Sequence, residues 1–169
     1  MFRKGYNIYL DCMILSTSTY NSQVADPFQV HFSNYWADPS KQAIPPTWPT
    51  AVGPLTKTVR KYVSNTLQTF KAAGVDLAIV SLGNEIRHGM LWPTGYVDVD
   101  TAGNAARAKN YTNLATIWAG ARQGVTDAVQ AGVKKPQVMI HVDNGWNTTL
   151  QQAWFGALVA TGKVKTSDW

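Results

Sequence analysis

Apolar residues recur every three or four positions between residues 56 and 73, with Val59, Tyr62, Val63, Thr66, Leu67 and Phe70 on one face, which predicts a helix. Pro54 just before it and Gly74 just after it supply a start and a stop. Residues 75–83 (VDLAIVSLG) form a near-continuous apolar run, the pattern of a strand buried on both faces of a parallel sheet. A long helix is predicted over residues 104–131, with Tyr111, Leu114, Trp118, Val125 and Val129 inward and Gly132 closing it. Residues 137–143 (QVMIHVD) read as another buried strand. Thr148 or Thr149 can cap a last helix that carries Leu150, Trp154 and Leu158 and stops at Gly162. With the short β-rich run at residues 6–11 (YNIYLD) in front, the order is β-α-β-α-β-α, and a parallel α/β sheet with right-handed crossovers follows. Three strands cannot close a barrel, so the sheet is open and small or belongs to something larger.

Two segments do not fit this alternation. Residues 12–30 have no sustained period and are rich in Ser, Thr and Asn, whereas residues 31–49 form a loop rich in Pro and Trp. Loops of this length inside a compact domain are usually functional or disordered. The second is expected to be functional, and the first to lack a regular place in the sheet.

Composition narrows the function classes. The 169 residues are 45% apolar, enough for one domain with a core, and only 15% charged. The net charge of +5 comes from Lys and Arg scattered without a run longer than two, so the basic stripe of a nucleic-acid reader is missing. No apolar run approaches the ~18 residues of a membrane span. The basic-then-apolar start is interrupted by polar residues and has no small-residue cleavage site, so it does not read as a signal peptide. Cys12 is the single cysteine, which excludes an internal disulfide and a multi-cysteine metal site. Nine of the ten acidic residues are aspartates, and Glu85 is the only glutamate.

Polar groups gather where the predicted strands end: Asp11, with His31 and Asp38 beyond it; Asn84, Glu85, Arg87 and His88; His141, Asp143, Asn144 and Trp146. In parallel α/β folds the carboxyl ends of strands form the ligand mouth. Trp36, Trp48, Trp92 and Trp146 fall in loops or at strand ends, whereas Trp118 and Trp154 lie on helix faces and are expected in the core. Tryptophan rings beside Asp, Asn and His suit sugars, the ring stacking on the apolar face while polar groups bond hydroxyls. Loop tryptophans that merely staple their loops are the alternative. No HxxxH, GxSxG, GxGxxG or P-loop pattern occurs, so metal, serine-nucleophile and phosphate-cofactor readings lack support, and no cofactor is expected. Carboxylate chemistry centred on Glu85 remains.

IVSLGNEIRHGMLWPTG (residues 79–95) resembles the fourth-strand motif of glycoside hydrolase family 53, the arabinogalactan endo-β-1,4-galactanases. HFSNYWADPSKQAIPPTWP (residues 31–49) is similar to that family's loop after strand three, of the form DFHYSDTWADPxxQxxPxxW, and QVMIHVDNGW (residues 137–146) to its fifth-strand segment IMIHLDNGW. The resemblance implies a fragment of a (β/α)₈ barrel covering about strands three to five. It implies a secreted, monomeric enzyme that hydrolyses internal β-1,4-galactosidic bonds of galactan or arabinogalactan with retention of configuration. Glu85 would be the general acid/base and Asn84 the contact to the sugar 2-hydroxyl. His31, Trp36, Asp38, Trp92, His141, Asp143 and Trp146 match positions that line or support the cleft. Two sequons, Asn110-Tyr-Thr and Asn147-Thr-Thr, accord with secretion.

The departures are specific. The family nucleophile is a second glutamate in a strand-seven pattern like VVETNWP, and this chain has neither that pattern nor a second glutamate. Asn34 stands where the family usually has an aspartate. Residues 12–30 separate YLD from HFSNYW where about one residue is usual, and read as inserted sequence such as a translated intron. Three functions therefore stay open: a family 53 hydrolase or a piece of one, a non-catalytic carbohydrate-binding remnant, or an inert truncated product.

Overall fold

The computed structural model describes residues 10–11, 28–33, 38–99 and 105–169. Among the described residues four strands, β1 (Leu10–Asp11), β2 (Phe28–Val30), β3 (Ile79–Leu82) and β4 (Gln137–Met139), form one sheet in the order β1-β2-β3-β4. The helices are α1 (Val52–Ala72), α2 (Ala105–Gln130) and α3 (Thr148–Ala160). β2, β3 and β4 are parallel, with Phe28 opposite Val80 and Val80 opposite Val138. β1 runs antiparallel on the edge, Asp11 facing Gln29.

The first strand is therefore not where the pattern suggested. Phe28–Val30, inside the segment expected to have no place in the sheet, occupies the parallel slot beside β3, and Leu10 and Asp11, the described part of the predicted run, pair on its other side. The reason is packing: that slot needs apolar side chains on its helix-facing side, and Phe28 and Val30 are buried there, Phe28 lying 4.6 Å (ring centroids) from Phe70 of α1. Three residues are too few for a period to show in the sequence. Residues 12–27, like residues 6–9, lie outside the described set.

Alternation assigns the two faces of the sheet. Phe28, Val30, Val80 and Leu82 are buried against the helices, and the Trp118 indole of α2 donates to the Leu82 carbonyl at 3.1 Å. Gln29, Ser81 and Met139 belong to the opposite, more polar face, where Met139 is 39% exposed. Trp118 and Trp154 are fully buried, as their helical spacing requires.

α1 begins a turn earlier than its apolar stripe, because Pro54 fits within the first turn, where an N–H has no intrahelical acceptor anyway. α3 is capped by the Asn147 side chain, which accepts from the Leu150 amide at 3.0 Å, one residue before the threonines expected to do so. α1 and α2 cross closely at two glycines: a Cβ on Gly124 would lie 2.4 Å from the Arg60 carbonyl oxygen, and one on Gly120 2.5 Å from Thr56 Cγ2. Arg60 then clamps the pair by a fork to Asp127, at 2.6 and 2.9 Å. This layer holds β3 from behind.

Candidate active site

The chemistry starts one residue beyond β3. Gly83 (φ 102°) turns the chain out of the sheet, and a Cβ there would lie 2.5 Å from Ile86 Cγ2, so glycine is required. Glu85 follows in left-handed backbone (φ 47°, ψ 49°), a conformation that costs a non-glycine residue on the order of 1–2 kcal/mol, and leads into the 3₁₀ turn Ile86–His88.

Bonds on both sides hold this conformation. The Asn84 carbonyl accepts from Gln42 Nε2 at 2.9 Å, and its side-chain oxygen accepts from Gln29 Nε2. The Ile86 amide donates to the His141 carbonyl at 3.0 Å, which joins the Glu85 turn to the end of β4. Arg87 Nε donates to the Asp143 carboxylate at 3.0 and 3.1 Å. From α3, Trp154 Nε1 donates to the Arg87 carbonyl at 2.9 Å and Gln151 to the Asp143 carbonyl at 2.7 Å. The half-buried Glu85 carboxylate itself makes no hydrogen bond or ion pair among the described residues. A turn so constrained around a carboxyl left available is an arrangement for presenting it.

The turn that carries Asn84 and Glu85 is thus joined to His141 through the Ile86 amide and to Asp143 through Arg87. His31 is fully buried just after β2, beside the Gly83 amide, which donates to the Val30 carbonyl at 3.0 Å. Trp92 is half-buried, with its indole bonded to the His88 carbonyl at 2.9 Å and its ring edge-on to Tyr96 at 5.2 Å. Its backbone bridges the loop at Gln42 and Ile44, which ties residues 38–49 to the Glu85 side of the molecule. Trp146 stands 81% exposed in the loop before α3. Asp38 is engaged elsewhere: Ser40 donates to it through its hydroxyl (2.6 Å) and its amide (2.9 Å), which holds the carboxyl below the usual carboxylate range, and Lys41 lies 3.8 Å away. Trp36 lies outside the described residues. His141 Nδ1 is buried and makes no hydrogen bond among the described residues.

Sequence reading missed Gln29 and Gln42, the two buried amides that orient Asn84. Gln42 was visible as the fixed glutamine of the ADPxxQ spacing; Gln29 gave no signal because its strand was not recognised. An open concavity of about 450 Å³, lined by Pro93, Thr94, Tyr96, Asp98, Asn110 and Asn113, includes none of the residues around Glu85. No group of three metal-ligating side chains occurs among the described residues.

Comparison with known proteins decides the lineage. Residues 23–169 match the sequence profile described as glycosyl hydrolase family 53. The chain belongs to that family. The "Probable arabinogalactan endo-beta-1,4-galactanase A" of Neosartorya fischeri is 40% identical over 141 residues, covering 82% of this chain and 36% of the relative. The arabinogalactan endo-beta-1,4-galactanase of Thermothelomyces thermophilus is 36% identical over 138 residues, covering 82% and 38%. A solved structure from a study of two fungal beta-1,4-galactanases superposes with a TM-score of 0.72 at 34% identity, over 83% of this chain and 39% of that one. The Ignisphaera aggregans GH53 catalytic domain superposes with a TM-score of 0.63 at 27% identity, over 79% and 33%. The chain therefore spans 33–39% of the length of these relatives. The family match starts at residue 23, so the stretch that read as inserted is family sequence at its end, where β2 lies.

Proposed function

We propose that this chain carries the acid/base half of a retaining family 53 galactan hydrolase, and that its sheet corresponds to about strands three to five of a (β/α)₈ barrel. Residues 1–169 are then part of one catalytic domain, with an atypical segment at residues 12–30 of which residues 23–30 already fall within the family match, and galactan or arabinogalactan outside the cell is the substrate. The observation that carries this reading is Glu85: the only glutamate, at the carboxyl end of a parallel strand, in a turn bonded on both flanks, with a carboxylate unengaged among the described residues.

In a retaining mechanism this carboxyl protonates the leaving glycosidic oxygen as the bond breaks and then, as carboxylate, takes a proton from the water that releases the glycosyl intermediate. Asn84, held by Gln29 through its side-chain oxygen, is the residue the family pattern assigns to the sugar 2-hydroxyl. Trp92 and the exposed Trp146 offer ring faces for stacking, with His31, His141, Trp36 and Asp38 supporting the cleft as the family pattern implies.

The mechanism also needs a nucleophilic carboxylate about 5 Å from the acid. Of the aspartates that could stand in, Asp143 is bonded to Arg87, and Asp38 to Ser40 with Lys41 beside it. The 169-residue polypeptide alone should therefore bind β-1,4-galactan without releasing reducing ends. Release that disappears in Glu85→Gln would refute the half-site reading while keeping the acid/base assignment. Release that persists in Glu85→Gln would refute the assignment itself. The committed aspartates favour one second reading, a galactan-binding protein without turnover, which retention on galactan with no hydrolysis after the remaining barrel strands are supplied would establish.

A further inference from the structure

We propose that the Arg87–Asp143 ion pair is a positioning device that holds the Glu85 turn in its left-handed conformation, rather than Asp143 being a sugar ligand; its catalytic meaning rests on the acid/base reading of Glu85. Both Asp143 oxygens share the Arg87 Nε–H, at 3.0 and 3.1 Å, so the carboxylate faces the guanidinium and anchors it. The pair is also the least exposed of the ion pairs among the described residues, at 21% and 25%, against 49% and 27% for Arg60–Asp127, so solvent and salt screen it least.

Its placement gives it leverage. Arg87 is two residues beyond Glu85 and Asp143 two beyond His141, whose carbonyl receives the Ile86 amide at 3.0 Å. The backbone of each partner is fixed from α3, Arg87 by Trp154 and Asp143 by Gln151. On the other flank Gln42 fixes the Asn84 carbonyl. The Glu85 dihedrals lie between two fixed peptides, and releasing Arg87 frees the 3₁₀ turn to let Glu85 relax out of its left-handed well. Such a release moves the carboxyl without touching it.

Glu85 is the only glutamate, so the full chain labelled with ¹³C-glutamate gives one spin system that reports this turn directly. Amide hydrogen exchange at Ile86 reports the bond to His141. In Asp143→Asn and Arg87→Gln, exchange at Ile86 should accelerate roughly tenfold or more while the β3 amides keep their protection, and the Glu85 resonances should move and broaden. Arg87→Lys, which keeps the charge, should restore part of the protection. Arg60→Ala, which breaks the pair between α1 and α2, should leave both readouts in place. If Arg87→Gln unfolds the chain, seen as lost protection throughout β3, the near-isosteric Asp143→Asn decides. Unchanged Ile86 exchange and unchanged Glu85 resonances in Asp143→Asn overturn the proposal, and so does an Ile86 amide without protection in the unsubstituted chain. Turnover is not read, so a failed hydrolase assignment leaves this result standing, and the reverse holds too.

Discussion

The same Gly→Ala substitution should have opposite effects at two helical positions. In a helix interior the exchange gains about 0.8–1 kcal/mol from propensity alone. Gly156 of α3 has nothing within 4 Å of a built Cβ, so Gly156→Ala should keep that gain. At Gly124 of α2 the new methyl meets the Arg60 carbonyl oxygen at 2.4 Å, Arg60 C at 3.2 Å and Val63 Cβ at 3.0 Å. The nearest obstacle is backbone in the middle of α1 and cannot swing aside as a side-chain tip would, so the helices must separate by most of an ångström. A gap of 0.5–1 Å forfeits roughly a quarter to a half of each dispersion contact across it. The residues that lose contact are core: Leu55, Val59 and Val63 on α1, with Ala121, Val125 and Ala128 on α2. Overpacking of this kind costs about 1–3 kcal/mol, and with backbone as the obstacle the upper end applies. After the propensity gain, Gly124→Ala should be destabilised by about 2 kcal/mol. For a chain of this size that is a fall in Tm of roughly 4–8 °C, against a rise of about 2–4 °C for Gly156→Ala. Urea unfolding with unchanged m-values would let the shift of the midpoint be read as the change in stability. A Gly124→Ala chain as stable as the parent would refute the close crossing of α1 and α2 on which the support of β3 depends, and a destabilised Gly156→Ala would refute the open space around that position of α3.

Two further outcomes follow from local contacts. Asn147→Ala removes the side-chain cap of α3 and leaves the Leu150 amide without that acceptor, so urea unfolding should show a loss of about 1 kcal/mol, most of it restored by Asn147→Asp. Asp127 is held below the ordinary carboxylate value, first by the hydrogen bond from Arg60 and then by that from Gln123, so its folded-state pKa is depressed. A depressed carboxyl contributes stability that is present above its unfolded value, about pH 4, and is lost as the pH falls through the lower folded value. The stability of the parent should therefore exceed that of Asp127→Asn at neutral pH, the gap closing below about pH 4 and narrowing in high salt because the pair is exposed. A gap that widened in acid would contradict the assignment.

Periodicity in the sequence was enough for three helices and the buried strand β3, because each helix offers a side-chain stripe long enough to show its period: Val59, Val63 and Leu67 on α1, Tyr111, Leu114 and Trp118 on α2. It also marked β4, but as a buried strand, whereas Gln137 and Met139 are exposed because the face they point from is not covered by the helices. It was enough also for the order of the motifs around Asn84 and His141, since these lie next to apolar strands within a few residues. What it could not decide depends on partners distant along the chain. β2 is three residues long and is a strand only because β3 accepts it in register. Gln29 and Gln42 act on Asn84 across 55 and 42 residues, and nothing in either local sequence marks them as its partners. Asp143 at a strand end is an acceptor by default, and that Arg87, 56 residues away, is the donor to it could not be read from either local sequence. The left-handed turn at Glu85 is decided in the same way. A glutamate alone prefers right-handed or extended backbone, and only bonds arriving from the loop after β2, from the end of β4 and from α3 hold it where it is. Local patterns settle which residues are at hand, whereas long-range hydrogen bonds settle which way they face, because each such bond is written in two places in the chain at once.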